Sequence, residues 1–511
     1  MMKQSISIFK NSLLGVLCQV VTIIFTFTIR NLFIKYIGIE LLGINSTFAS
    51  VLETLSLSEL GFQSAIIFSL YKPLHDNDLE NINAFMNILR IVYHVVGITF
   101  IALSILMLPF LHFILSEIEI TPQIYIYFIL QAGTSTCTYF YAYKRALLYA
   151  DQKDYVSKSC DVICNIFFGI LQCILLVTLK SYTLYLVIKI VQVYISNYIL
   201  NKFCRKMYPY LQVRKIDVEK LKKVTKDVKN IIASNIAGYI YRSTDNIIIS
   251  AFISTVSVGY LSNYTVITKN MRALLVSALN PVIPAIGNYL IEDDSNAGRE
   301  EMFLLYSHIR YLIALFTITP IVLLIDNFIC IWIGENMILE QSLALLISVD
   351  LYIDFVHSST CDFITSAGLF REEKYVEVVG AITNIATSLL LVRVIGIQGV
   401  LLGTIVSQIV FWLGRSIVLY RKCLRERWWP FFKYWIRNIL YFIFFTICCL
   451  IGKMIIGLIE GNGGIFHFII KAIVLEISLG VISFPMLVWA PEHRRLLQML
   501  LKIKAGNKDN L

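Results

Sequence analysis

The chain has 511 residues, of which 57% are hydrophobic and only 15% charged, and its mean hydropathy is +0.72. A soluble globular protein carries roughly 25% charged residues, so the composition excludes an ordinary soluble domain and points to a membrane. A formal net charge of +10 would suit nucleic acid, but its distribution along the chain gives it another purpose.

Fourteen apolar runs follow one another, at about 12–34, 43–70, 85–115, 122–148, 159–179, 182–203, 230–253, 258–290, 304–333, 339–368, 375–394, 397–420, 434–458 and 464–490. Runs near twenty residues match the hydrocarbon thickness of a bilayer. They are continuously apolar, without the alternation of a transmembrane barrel, so they read as helices. The fold class is therefore an all-α polytopic membrane protein with about 14 transmembrane helices. The first run lacks an A-x-A-like cleavage site and reads as a retained helix.

The basic residues occupy alternate gaps. Even-numbered gaps and the two termini, with the run ends that flank them, hold about 32 of the 44 Lys and Arg, and the remaining gaps with their flanking run ends about 4 (Lys35, Lys180, Arg393 and Lys453). Basic loops stay cytoplasmic, which predicts both termini in the cytoplasm and a cell-membrane location. The net charge then reflects topology and attraction to anionic lipids of the inner leaflet, and no nucleic-acid partner is expected. Lys215–Lys229 reads as an amphipathic segment lying on the membrane.

Polar residues inside the runs come next. Gln19, Thr22, Thr26 and Arg30 form one stripe on the first run. Asn235, Tyr239, Arg242 and Asn246 form another on the seventh, with Asp245 beside Arg242. Lys269 and Arg272 lie well inside the eighth, which also carries Pro281 and Pro284 and should bend there. Asp350, Asp354, His357 and Cys361 share one face of the tenth. A charge at mid-bilayer costs about 2.5–3.5 kcal/mol on insertion scales, so each needs a partner or a wet cavity. The eleven cysteines show no C-x-x-C pair or zinc spacing, and Cys160 and Cys164 read as small apolar fillers. No metal, cofactor or nucleotide-binding motif is visible. The outer gaps are too short for a catalytic domain, which argues against an enzyme.

The longest polar interruption divides the chain: an N-terminal six-helix bundle at 1–204, a basic loop at 205–229, a second six-helix bundle at 230–422, two further helices at 423–490 and a basic tail at 491–511. The halves echo each other weakly. Arg30-Asn31 precedes Gly43, as Asp245-Asn246 precedes Gly259 and Ser262-Asn263. Six spans is an even number, so any repeat is parallel.

The runs Tyr36-Ile-Gly38-Ile-Glu40-Leu-Leu-Gly43-Ile-Asn45, Glu59-Leu-Gly61, Tyr143-Lys144-Arg145 and Asp245-Asn246, with Gly259-Tyr260-Leu-Ser-Asn263-Tyr264, resemble the bacterial polysaccharide-biosynthesis flippases. These belong to the multidrug/oligosaccharidyl-lipid/polysaccharide (MOP) exporter superfamily, together with drug/toxin extruders and lipid II flippases. The resemblance implies two bundles facing a central cavity. It also implies a cargo of undecaprenyl-diphosphate-linked oligosaccharide, flipped from the inner to the outer leaflet for assembly of O-antigen, capsule or exopolysaccharide. Polymerases of the same pathway become expected partners, and H⁺ or Na⁺ the expected coupling ion.

Arginine forks suit phosphate oxygens, so Arg30, Arg242 and Arg272 are the expected diphosphate-binding set, and Gln19, Thr26, Asn235 and Asp245 the expected cavity lining. Arg30 could instead snorkel to the head groups, and Arg242 and Asp245 could neutralise each other. Asp350 and Asp354, with His357, are expected to carry the coupling ion, or else to pair with cavity arginines. The extruders resemble this architecture but place a key acid on the first span, where this chain has none. That leaves an extruder or a lipid II transporter as the alternative, and a polymerase or ligase as a more distant one.

Overall fold

The computed structural model describes residues 2–56, 70–71, 73–115, 117–151, 153–211, 243–279, 282–292, 295–424, 428–459, 464–489 and 492–494. Among these residues there is no strand. The helices are α1 (Met2–Tyr36), α2 (Ile39–Leu55), α3 (Leu79–Met107), α4 (Pro122–Ala150), α5 (Asp154–Thr178), α6 (Tyr182–Met207), α7 (Thr255–Leu279) and α8 (Val282–Glu292). They continue as α9 (Asn296–Ile333), α10 (Gln341–Ser366), α11 (Phe370–Ile395), α12 (Ile397–Val418), α13 (Trp428–Gly457) and α14 (Gly464–Trp489), with a further helical stretch at 243–252.

Nine helices among the described residues are long and apolar enough to cross a bilayer, and each falls on one of the expected runs. The run at 258–290 becomes two helices, α7 and α8. Pro284 falls in the first turn of α8, while the bend expected at Pro281 lies outside the described residues. The amphipathic segment expected at 215–229 also lies outside them.

The helices are built inside-out. On α5, Ile163, Phe167, Ile170 and Ile174 point outward and are exposed, whereas Cys160, Cys164, Phe168 and Gln172 are buried. A soluble protein would not present such a continuous apolar face to water; in lipid the apolar stripe is the outer surface, and polar groups turn inward for partners. The two cysteines of this face are free and buried, as small fillers would be.

The chain forms two compact units, Met1–Ser262 and Asn263–Leu511. The sequence puts the break in the basic loop at 205–229, most of which lies outside the described residues.

In the first unit α1 packs along α5, α4 against both α3 and α6, and α5 against α6. Phe48 of α2 meets Phe128 of α4 edge-on at 5.0 Å, and both rings are fully buried. Two glycines decide how closely α2 approaches the start of α7. A Cβ on Gly43 would lie 2.1 Å from the Thr255 carbonyl oxygen, and one on Gly259 would lie 2.6 Å from the Ile39 carbonyl oxygen. Small residues allow this backbone approach, the usual way membrane helices associate where lipid supplies no hydrophobic drive. Polar bonds reinforce it: Asn246 Nδ2 donates to Ser50 Oγ at 2.9 Å, and the Thr54 and Ser243 hydroxyls are 2.7 Å apart.

In the second unit α11 and α12 form a tight hairpin about Gly396, whose φ of 63° suits glycine. A Cβ on Gly399 would reach within 2.4 Å of the Leu391 carbonyl oxygen. α10 packs on α9 and α12, and α9 also carries α13 and α14. Tyr311 stacks on Tyr441 with centroids 4.0 Å apart, fixing α9 to α13.

Candidate functional site

Within the first unit a cavity of about 270 Å³ opens between α1, α2, α5 and α6. Thr22, Thr26 and Arg30, three members of the expected stripe on α1, line it, and Gln19 one turn earlier is not among its lining residues. The helix period does this: positions four apart share a face, and that face is turned toward α5 and α6. Arg30 donates from Nη2 to the Ser262 hydroxyl.

The opposite wall is one the sequence analysis did not assign. Gln172 Nε2 donates to Gln192 Oε1 at 2.8 Å, Gln192 Nε2 to Asn165 Oδ1 at 2.8 Å, and Asn165 Nδ2 to Thr22 Oγ1 at 3.3 Å. This amide ladder ties α1, α5 and α6 together beside Lys189, which also lines the cavity. Asn165 and Gln172 are seven apart on α5 and Lys189 and Gln192 three apart on α6, a spacing that marks one face on each helix. Among the described residues the lining thus holds two cations, several neutral donors and no carboxylate. Its volume sits just under the roughly 300–1,000 Å³ of small-molecule pockets. It has room for a small anionic group.

The second unit gathers charge differently. Asp354 of α10 pairs with Arg272 of α7, whose Nη2 also reaches Asp354 Oδ1 at 3.4 Å. His357, buried one turn on, has Nε2 3.9 Å from Asp354 Oδ1. Asp350 Oδ1 accepts from Gln408 Nε2 at 2.5 Å. Arg272, Asp354 and His357 are therefore brought together, and Asp350 is turned to α12.

Two further pairs nearby were not anticipated. Arg310, left unassigned from sequence, is almost fully buried; it donates to the Phe355 carbonyl at 3.0 Å and lies 3.5 Å from Asp362. Arg415 bonds Glu377 and lies 3.3 Å from Glu373, which also accepts from the Cys361 thiol. Three guanidiniums thus serve four carboxylates, with Asp350 as a fifth held by an amide. Arg310, Arg415 and Glu373 are buried, and the cost of burying such charges demands partners.

Of the remaining expectations, Asp245 is partly buried on the stretch at 243–252, and Lys269 is exposed on α7. Arg242 and Asn235 lie outside the described residues. Arg145, quoted above for the family resemblance, makes a two-pronged bond to Asp161 at 2.6 and 2.8 Å and reaches Ser157.

These elements define an all-α, multi-pass membrane protein with polar interiors inside apolar walls. No protein-family model and no curated protein matches the chain. Solved structures do. The chain is similar to the lipid II flippase MurJ in an inward closed conformation, with a TM-score of 0.67 and 14% identity over 96% of this chain and 100% of that one. It is similar to an inward-facing multidrug resistance MATE family transporter of the MOP superfamily, with a TM-score of 0.64 and 14% identity over 80% and 95%. It is similar too to a MOP superfamily transporter from Pyrococcus furiosus, described as having a binding pocket of reverse polarity, with a TM-score of 0.55 and 14% identity over 82% and 96%. The chain shares its fold with these transporters.

Proposed function

We propose that this protein is a flippase that moves an undecaprenyl-diphosphate-linked oligosaccharide from the inner to the outer leaflet by alternating access. The observation that carries the reading is the cavity of the first unit: Arg30 and Lys189 with an amide ladder and, among the described residues, no carboxylate, walled by membrane helices. Such a lining favours an anion over a cationic drug, because cations set among neutral donors in a membrane interior attract a negative ligand. Guanidinium and amide donors replace the water that a diphosphate loses on leaving the aqueous phase. The likeness in fold to a lipid II flippase is consistent with a lipid-linked cargo.

In this reading Arg30 grips the diphosphate in the first unit and Arg272 does so in the second, releasing Asp354 as it engages. Arg242 belongs to the same set. Asp350, Asp354 and His357 carry the coupling ion: the surplus of carboxylates over guanidiniums around α10 and α11 gives H⁺ or Na⁺ a place to bind when Arg272 turns to cargo. The basic gaps face the cytoplasm, and the bacterial cell membrane is the expected location. The flipped unit feeds assembly of a polysaccharide such as O-antigen, capsule or exopolysaccharide, in company with a polymerase.

The test is transbilayer movement of a lipid-diphosphate oligosaccharide in proteoliposomes, wild type against Arg30→Gln and Arg272→Ala. Movement with wild type and its loss in both folded variants is the expected result. Movement that survives both substitutions overturns the assignment of the arginines. No movement, together with export of a cationic dye, returns the protein to the extruder branch.

A further inference from the structure

A second cavity, of about 510 Å³, lies in the first unit where α3 begins and α4 and α6 finish. Arg90 of α3, Lys144 of α4 and Arg205 of α6 line it, with Asn87 and the rings of Tyr143 and Tyr208. Among the described residues no carboxylate contributes to the lining.

Three cations share this lining. Neighbouring cations have acidic partners: Arg145 has Asp161 at 2.6 Å, Lys153 has Asp151 at 2.5 Å and Lys158 has Asp154 at 3.1 Å. Among the described residues Arg90, Lys144 and Arg205 have none. Lys144 is only 8% exposed, its ammonium donating to Asn201 Oδ1 and lying 5.6 Å from the Tyr143 ring centroid. The Tyr208 hydroxyl donates to Asp151 Oδ2 at 2.6 Å, so that acid is taken up by Tyr208 and Lys153. Three cations converge on one concave space, where their mutual repulsion is relieved by a bound anion.

We propose that this cavity is a binding site for a phosphate group, held by Arg90, Lys144 and Arg205. Two guanidiniums offer planar forks matched to phosphate oxygens, and the ammonium adds a compact third donor. The Asn87 amide and the Tyr143 hydroxyl complete a donor set suited to a tetrahedral anion. The phosphate arrives either on the headgroup of an anionic lipid or on a soluble phosphoester. The site involves neither Arg30 nor Arg272, so it stands or falls independently of the cargo assigned above.

Binding of dioctanoyl-phosphatidylglycerol and of inorganic diphosphate to the purified full chain in maltoside micelles tests this. Titration calorimetry compares wild type with Arg90→Gln, Arg205→Gln and Lys158→Gln, the last a cation already paired with Asp154 outside the cavity, each first checked for a monodisperse folded peak. Arg205 is exposed, so its substitution does not disturb packing. Each of the first two variants is expected to weaken binding about tenfold, the loss of one charge-assisted contact, with Lys158→Gln unchanged. If the lipid behaves this way the source is a headgroup; if the diphosphate does, the source is soluble. Binding of neither probe, or binding indifferent to Arg90 and Arg205, overturns the proposal.

Discussion

The contact between Gly43 and Gly259 gives the sharpest structural prediction. Alanine at 43 would bring its Cβ to 2.1 Å from the Thr255 carbonyl oxygen, where ordinary contact begins at 3.4 Å. The obstacle is backbone on a helix start, so it cannot rotate aside and the two helices must separate. Overpacking costs about 1–3 kcal/mol, and the rigid obstacle puts Gly43→Ala at the upper end. At about 2–4 °C per kcal/mol for a unit of this size, the unfolding midpoint in detergent falls by roughly 6–12 °C. Gly169→Ala is the graded control. Its Cβ would meet the Phe25 ring at 2.4 Å, a side chain that can swing, so about 1 kcal/mol is expected. Gly480→Ala on α14 meets nothing within 4 Å and leaves the midpoint unchanged or slightly raised, since alanine favours helix by up to about 1 kcal/mol. The midpoints are read by fluorescence-detected thermal unfolding at fixed protein and detergent concentration. If Gly43→Ala melts with Gly480→Ala, the close approach of α2 and α7 is wrong.

Three further outcomes follow from the polar networks. Asp161→Asn strips the charged partner from Arg145; with both side chains about a quarter exposed, the loss is about 2 kcal/mol, less than the 3–5 kcal/mol of a fully buried pair, and the same thermal assay reads it. Gln192→Leu cuts the amide ladder in the middle and strands the Gln172 and Asn165 groups, at about 1–3 kcal/mol; Gln192→Glu, which keeps acceptors but adds a negative charge beside Arg30, should retain the fold while reducing cargo movement. Asp354→Asn should abolish ion-coupled accumulation in proteoliposomes, and an exchange of Arg272→Asp with Asp354→Arg should restore stability without restoring transport. Transport by the exchanged pair would show that the bridge serves packing alone.

The class of the protein was legible because hydropathy is a local property: any run long and apolar enough to span a bilayer announces itself without knowledge of its neighbours. Helical period likewise placed Thr22, Thr26 and Arg30 on one face, and they do line one cavity. The echo of Gly43 and Gly259 was visible as pattern, yet nothing in it says that the two touch. That is a matter of long-range packing, in which two backbones separated by more than two hundred residues close to within a methyl group of each other.

The partners of each charge were decided in the same way. Sequence spacing set Asp350, Asp354 and His357 on one face of α10, but only the arrangement of helices turned Asp354 to Arg272, Asp350 to Gln408 and Arg310 to Asp362. The amide ladder was harder to foresee, because a glutamine in an apolar run carries no charge to draw attention and its partner lies on another helix. By itself the sequence determined what must be buried in lipid and which side chains would then need polar company. The tertiary structure decided who keeps that company, since in a bilayer the helices associate through shape and a few directional bonds that no single helix records.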